Sequence, residues 1–195
     1  MKAQEGGDRE LRTARLRLRP YVPGDFEWVF RELILDPVVI RFWDDYADPA
    51  LTEADKRAMS EHDLGSWIAE GIAAGYPTWV VEAADPALGR EGDVIGVAGV
   101  YEPQNPWGPE PELGCMLASR YHGRGLGPET LRAVIADAEG RLGIPALVGI
   151  VDEPNTASIR LVEKCGFALD RSYVDDEGRP CRRYVHRRDD APGSR

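Results

Sequence analysis

Within "RYHGRGLGPETL", residues 120 to 131, three glycines fall in five positions: Gly123, Gly125 and Gly127. Glycine costs about 0.5–1 kcal/mol relative to alanine in a regular element, so such a cluster marks a backbone that bends tightly or is approached closely. Pro128 follows, a residue suited to the first helical position, and Leu131, Val134, Ile135, Ala138 and Leu142 then recur at helical spacing. The segment predicts a turn between a strand and a helix N-terminus. Outward N–H groups and the positive end of the helix dipole favour an anion there. Arg120 and Arg124 add charge, and a diphosphate is the fitting guest.

The 195 residues suffice for one domain with a substantial core, and 43% hydrophobic with 30% charged is a globular balance. A net charge of −10 argues against duplex nucleic acid as a partner; it is compatible with an amine substrate. No apolar run approaches the ~20 residues of a membrane span, and the polar N-terminus lacks a signal-peptide core, so a cytoplasmic protein is expected. Cys115, Cys165 and Cys181 lie far apart, as do His62, His122 and His186. Reduced thiols and no metal site follow from that scatter.

Leu16 and Leu18 alternate with arginines, the period of a strand with one buried face. Residues 26–34 read as a short amphipathic helix, and Thr52 opens a longer helix or helix pair reaching Gly75. Strands are expected over 78–83, 93–102, 112–118 and 146–152, then at 167–174 and 182–188, with helices to Leu142 and from Asn155 to Gly166. The pattern predicts a mixed, mostly antiparallel α/β (α+β) sheet flanked by helices, one domain over 11–188 with flexible tails at 1–10 and 189–195.

A P-loop needs Gly-Lys-Ser/Thr where this chain has Gly127-Pro128-Glu129, and the Rossmann fingerprint needs Gly-x-Gly-x-x-Gly after an early strand. What fits is Arg-x-x-Gly-x-Gly, Arg120 through Gly125, which resembles the coenzyme A diphosphate loop of the GNAT superfamily of N-acetyltransferases. "NTASIRLVEKCGF", residues 155 to 167, is similar to that family's Asn-x-x-Ser/Ala…Glu-Lys-x-Gly-Phe segment. "ARLRLRP" and "LDPVVIRFW" resemble its Rim-type branch, which includes ribosomal-protein alanine acetyltransferases. The likeness spans residues 13 to 186 and is weak between 44 and 77.

The resemblance implies a GNAT fold with a splayed strand pair, acetyl-CoA as cosubstrate and direct acetyl transfer to a primary amine, a protein N-terminus or a small molecule. The assembly expected is a monomer or homodimer. Arg120, His122, Gly123, Arg124, Gly125, Leu126 and Gly127 would hold the diphosphate. The backbone of Met116, Leu117 and Ala118 would pair with the pantetheine arm, at a strand that often carries a bulge. Asn155 would cap its helix, touch the arm, or do both. The wider family's tyrosine acid falls at Val162, a departure; the Rim-type branch places a serine at Ser158, which would protonate the leaving thiolate. Glu112 is the candidate base, with Glu102 and Tyr101 as fallbacks. Trp43, Asp44, Asp45 and Tyr46 would wall the acceptor beside the loop over 103–111, whose Trp107 would be a lid residue or a surface residue. An aminoglycoside or polyamine acetyltransferase and a silent acyl-CoA-binding module are the competing readings.

Overall fold

The computed structural model describes residues 10–102 and 107–188. The expected tails, Glu10 excepted, fall outside these residues, as does part of the loop before residue 112. Eight strands form one sheet: β1 (Leu11–Arg12), β2 (Leu16–Pro20), β3 (Thr78–Ala83), β4 (Val94–Tyr101), β5 (Glu112–Leu117), β6 (Ala146–Asp152), β7 (Ala168–Val174) and β8 (Pro180–Arg187). Their order is β1-β2-β3-β4-β5-β6-β8-β7, antiparallel except between β5 and β6. The helices are α1 (Phe26–Val29), continued by a π turn at Phe30–Ile34, α2 (Asp44–Ala47), α3 (Glu53–Ala74), α4 (Leu126–Gly140) and α5 (Thr156–Lys164). Of the two alternatives expected after Thr52, a longer helix or a helix pair, the structure has the single helix α3.

Helices cover both faces of the middle of the sheet, so β3 and β4 are almost wholly buried rather than alternating. In β2, Leu16 and Leu18 point into the core while Arg17 and Arg19 turn to Glu82 of β3 at 3.1 and 2.6 Å. Arg19 also pairs with Asp25 at 2.6 Å. The second face of β2 is thus an ion-paired layer, which the burial of Glu82 requires, since a buried carboxylate needs a partner. Gly149 of β6 lets α5 sit close: a Cβ there would lie 3.4 Å from Val162 Cγ1.

Helix α4 buries Leu131, Val134, Ile135 and Ala138 as its spacing predicts. It starts at Leu126, two residues earlier than Pro128 suggests, because Gly125 takes the left-handed conformation (φ +73°) and turns the chain into the helix. Pro128 becomes the third helical residue, where its missing N–H is equally harmless. No helix among the described residues is long and apolar enough to cross a membrane.

Thr130 of α4 is fully buried, and its hydroxyl has no partner among the described residues. Because an unsatisfied buried hydroxyl costs about 1–3 kcal/mol, Thr130→Val should stabilise the fold and raise the melting temperature by about 2–4 °C per kcal/mol gained. A lower melting temperature would mean that the hydroxyl is satisfied after all.

Candidate active site

Parallel neighbours β5 and β6 share one register pair, Glu112 with Val148, beside a 2.9 Å bond from Val148 N–H to the Pro111 carbonyl. From there the strands part. Strand β5 keeps unbroken register with β4, so no bulge accompanies the opening. Ala118 donates its N–H to the Ile95 carbonyl at 3.0 Å. Antiparallel ladders alternate between paired and outward-facing residues, so Met116 directs its backbone groups to β4, as Ala118 does its N–H, while the Ala118 carbonyl accepts from Tyr121 N–H at 2.8 Å. That corrects two of the three expected arm-binding positions. Cys115 and Leu117 face the gap instead, and the Leu117 carbonyl accepts from His122 Nε2 at 2.8 Å.

A cavity of about 680 Å³ occupies the gap. Side chains alternate along β5, with Glu112, Gly114 and Met116 on one face and Leu113 and Cys115 on the other, and all five line the cavity. It therefore passes through the sheet. Glu112 shares its face with its register partner Val148, whereas α5 packs through Val162 onto Gly149, on the opposite face. Asn155 and Ser158, which also line the cavity, belong to α5 and its cap. Glu112 and Ser158 thus approach the gap from opposite faces. Asn155 Oδ1 accepts from Ser158 N–H at 3.1 Å, a helix cap.

Of the expected acceptor wall, Trp43 lines the cavity, joined by Val39, Phe42 and Trp107. Tyr46 is buried in a separate cluster with Phe30, Ile34 and Ile40 and donates to Asp63 at 2.7 Å; it is a core residue. Asp45 is exposed. Asp152, Asp175 and Asp176 supply carboxylates instead. Asp175 accepts from Glu177 N–H at 3.0 Å and from Arg179 N–H and Nε at 2.8 and 2.6 Å. These bonds, led by the Arg179 backbone, hold it below the usual carboxylate range. Glu102 is exposed and stands outside the cavity; Tyr101 lines it, but burial raises its phenol pKa, so at neutral pH it stays protonated and is not available to accept a proton. Burial likewise pushes the Cys115 thiol up to about 12, so it stays a thiol at neutral pH.

The glycine turn lies beyond the end of β5, and none of it lines the cavity. Its three glycines do different work. Gly123 and Gly125 have φ of +74° and +73°, which other residues rarely adopt. Gly127 is helical, and a Cβ there would meet Leu161 of α5 at 3.2 Å, so it serves close helix packing. Arg120 and Arg124 lie over the Tyr121 ring, 5.0 and 5.6 Å from its centroid, and Arg120 also pairs with Glu32.

Residues 15–168 match the acetyltransferase (GNAT) domain family. The chain is a GNAT acetyltransferase. The uncharacterized protein YkkB of Bacillus subtilis (strain 168) is 27% identical over 158 residues, covering 81% of this chain and 84% of that protein. An acetyltransferase from Agrobacterium tumefaciens str. C58 superposes with a TM-score of 0.69 at 27% identity, over 92% of this chain and 95% of its own. Spermidine N-acetyltransferase from Vibrio cholerae, solved with CoA and spermine, has the same fold with a TM-score of 0.65 at 16% identity, over 90% and 96% of the two chains.

The GNAT turn is held by residues that the sequence reading missed. Arg15, just ahead of β2, donates Nη1 to the Arg124 carbonyl at 3.0 Å and Nε to Glu129 at 2.7 Å. Glu129, in the first turn of α4, also accepts from Thr13 Oγ1 at 2.5 Å. At a separation of 114 residues, no local pattern signals this contact. Among the described residues no cluster of three or more His, Cys, Asp or Glu is placed to hold a metal ion.

Burial raises the Glu129 pKa, but the Thr13 and Arg15 hydrogen bonds outweigh it and hold the group below its ordinary 4.5. A carboxylate with a depressed folded pKa stabilises above its unfolded value and loses that contribution as pH falls through the folded value. Glu129→Gln should therefore lower the melting temperature at neutral pH, and the difference from wild type should shrink below pH 4.5. A difference independent of pH would assign the loss to packing.

Proposed function

We propose that this acyltransferase moves the acetyl group of acetyl-CoA directly to a primary amine, as a member of the Rim-type branch. The parting of β5 from β6 after one register pair carries this reading. It opens a channel through the sheet, with a positive-φ glycine turn and a helix N-terminus beyond the end of β5. A coenzyme A diphosphate would take the N–H groups of Leu126 and Gly127, since Pro128 has none, with Arg124 and Arg120 as countercharges. Arg15 holds the turn's shape. His122 fixes the end of β5 through Leu117, and Gly123 and Gly125 shape the turn.

The pantetheine arm would add to the outward edge of β5 at Cys115 and Leu117, as an extra strand would. Bound acetyl-CoA supplies an activated thioester. On one face, Glu112 accepts the proton that the attacking amine must lose. On the other, the Ser158 hydroxyl donates to the departing sulfur, and Asn155 holds the start of α5 in place. Cys115, protonated, offers no nucleophile, which favours direct attack over a covalent enzyme intermediate.

The rings of Trp43, Trp107 and Tyr173 beside Glu112, Asp152 and Asp176 favour a cationic acceptor, either a peptide N-terminus or a small polyamine. The deciding experiment is thiol release from acetyl-CoA over spermidine, an alanine-terminated peptide and an aminoglycoside. Coenzyme A binding with no turnover on any of them would instead indicate a silent acyl-CoA-binding module.

Glu112→Gln should lower kcat by roughly 10²–10⁴-fold with coenzyme A affinity unchanged; a loss of only a few-fold would move the base elsewhere. Ser158→Ala should lower kcat and leave the acetyl-CoA KM unchanged, the pattern of a lost transition-state contact. The loss should correspond to about 1.5–3 kcal/mol, as for hydrogen bonds to charged groups. Normal turnover in Ser158→Ala would assign the proton to water.

A further inference from the structure

Residues 107–111 deliver the chain into β5 and its first residue, Glu112. At the start of this segment, the Trp107 ring sits edge-on to Tyr173 of β7, centroids 4.1 Å apart, with the Arg171 guanidinium 5.6 Å from the Trp107 centroid. Near its end, Glu110 accepts from Arg183 Nη2 of β8 at 2.9 Å. One atom joins these two anchors: Asp170 Oδ2 accepts from Arg171 Nε and from Arg183 Nη1, each at 2.9 Å. The arginines are register partners across β7 and β8, and like charges so placed repel. Asp170 offsets that repulsion, and its own pKa is lowered by Arg171 first and Arg183 second.

The Arg183 side chain is 3% exposed. A buried ion pair is weak evidence for net stability, because desolvation cancels much of the attraction; fixing a geometry is one use such pairs serve. Here the geometry fixed is that of the cavity wall. Trp107 and Glu112, the residues flanking the clamped stretch, both line the cavity, while Arg183 and Asp170 line none of it.

We propose that Glu110, Arg183, Asp170 and Arg171 form a charge clamp that positions Trp107 and Glu112 for the acceptor amine, making Arg183 and Asp170 specificity-determining positioning residues. This rests on the acetyltransfer reading above. The clamp acts on the acceptor end alone, since the glycine turn is held separately by Arg15 and Glu129.

The test uses Asp170→Asn, which keeps the side chain's size and removes the charge both arginines share, beside Arg183→Met and Trp107→Phe. With the acceptor that the wild type turns over fastest, Asp170→Asn should lower kcat/KM for the acceptor by about 10–100-fold, the scale of a small misplacement, with the acceptor KM raised through Trp107 and kcat lowered through Glu112. The coenzyme A affinity should not change. Trp107→Phe should raise the same KM, and the double variant should add less than the sum, as for coupled residues. Hydrogen exchange of the 107–113 amides, measured with coenzyme A alone, should quicken in Asp170→Asn. An unchanged acceptor KM, unchanged exchange, or an equal loss of coenzyme A affinity would each overturn the clamp. If Arg183→Met fails to fold, Asp170→Asn decides. A wild type inactive on every amine overturns the acetyltransfer reading, whereas unchanged exchange in Asp170→Asn overturns the clamp itself.

Discussion

Beyond Glu112 and Val148, two neighbouring strands of one sheet stop pairing while the sheet continues on both sides. Backbone groups left on an open strand edge seek partners, and much of the molecule is arranged around that demand. Strand β4 takes up every second residue of β5, a histidine takes one outward carbonyl, and an extended ligand can take the rest. The opening needs no bulge. The β5–β4 register runs unbroken, and the single pair at Glu112 fixes where the divergence starts.

Because the gap crosses the sheet, it separates two environments. Glu112, which lines the cavity with Trp107 and Tyr173, belongs to one face; Ser158, on a capped helix packed against Gly149, belongs to the other. In the proposed reaction, a base at Glu112 and an acid at Ser158 would stay apart on the two faces, each addressing a group threaded between them. The two anchoring systems are equally separate. Arg15 and Glu129 steady the glycine turn, and the Asp170 network steadies the approach to Glu112.

Much of this was legible in the sequence, for identifiable reasons. Thr78–Ala83 and Ala146–Asp152 are β-branched runs closed by turn residues, and their bounds are those expected. The apolar face of α4 and the cap at Asn155 rest on periodicity and local hydrogen bonding, which a sequence carries openly. Illegible features depend on distant partners. Nothing local says that Arg17 and Arg19 answer a buried Glu82, that Arg15 reaches Glu129, or that Tyr46 turns into a core beside Asp63. The ladder phase of β5 also escaped, because Met116 and Cys115 read alike until Ala118 is seen bonded to Ile95. Asp152 closes an expected strand and residues 175–176 fall between two others, so nothing local marks their carboxylates as cavity residues.

Val162 occupies the position where the wider family's tyrosine would fall. It is 7% exposed, and a Cβ added at Gly149 beneath it would lie 3.4 Å from its Cγ1, so the glycine is what lets α5 sit close to β6. A phenol at 162 would add bulk at a buried position, and overpacking costs about 1–3 kcal/mol. In the proposed reaction, the close seat of α5 on β6 and the use of a serine on that helix as proton donor go together.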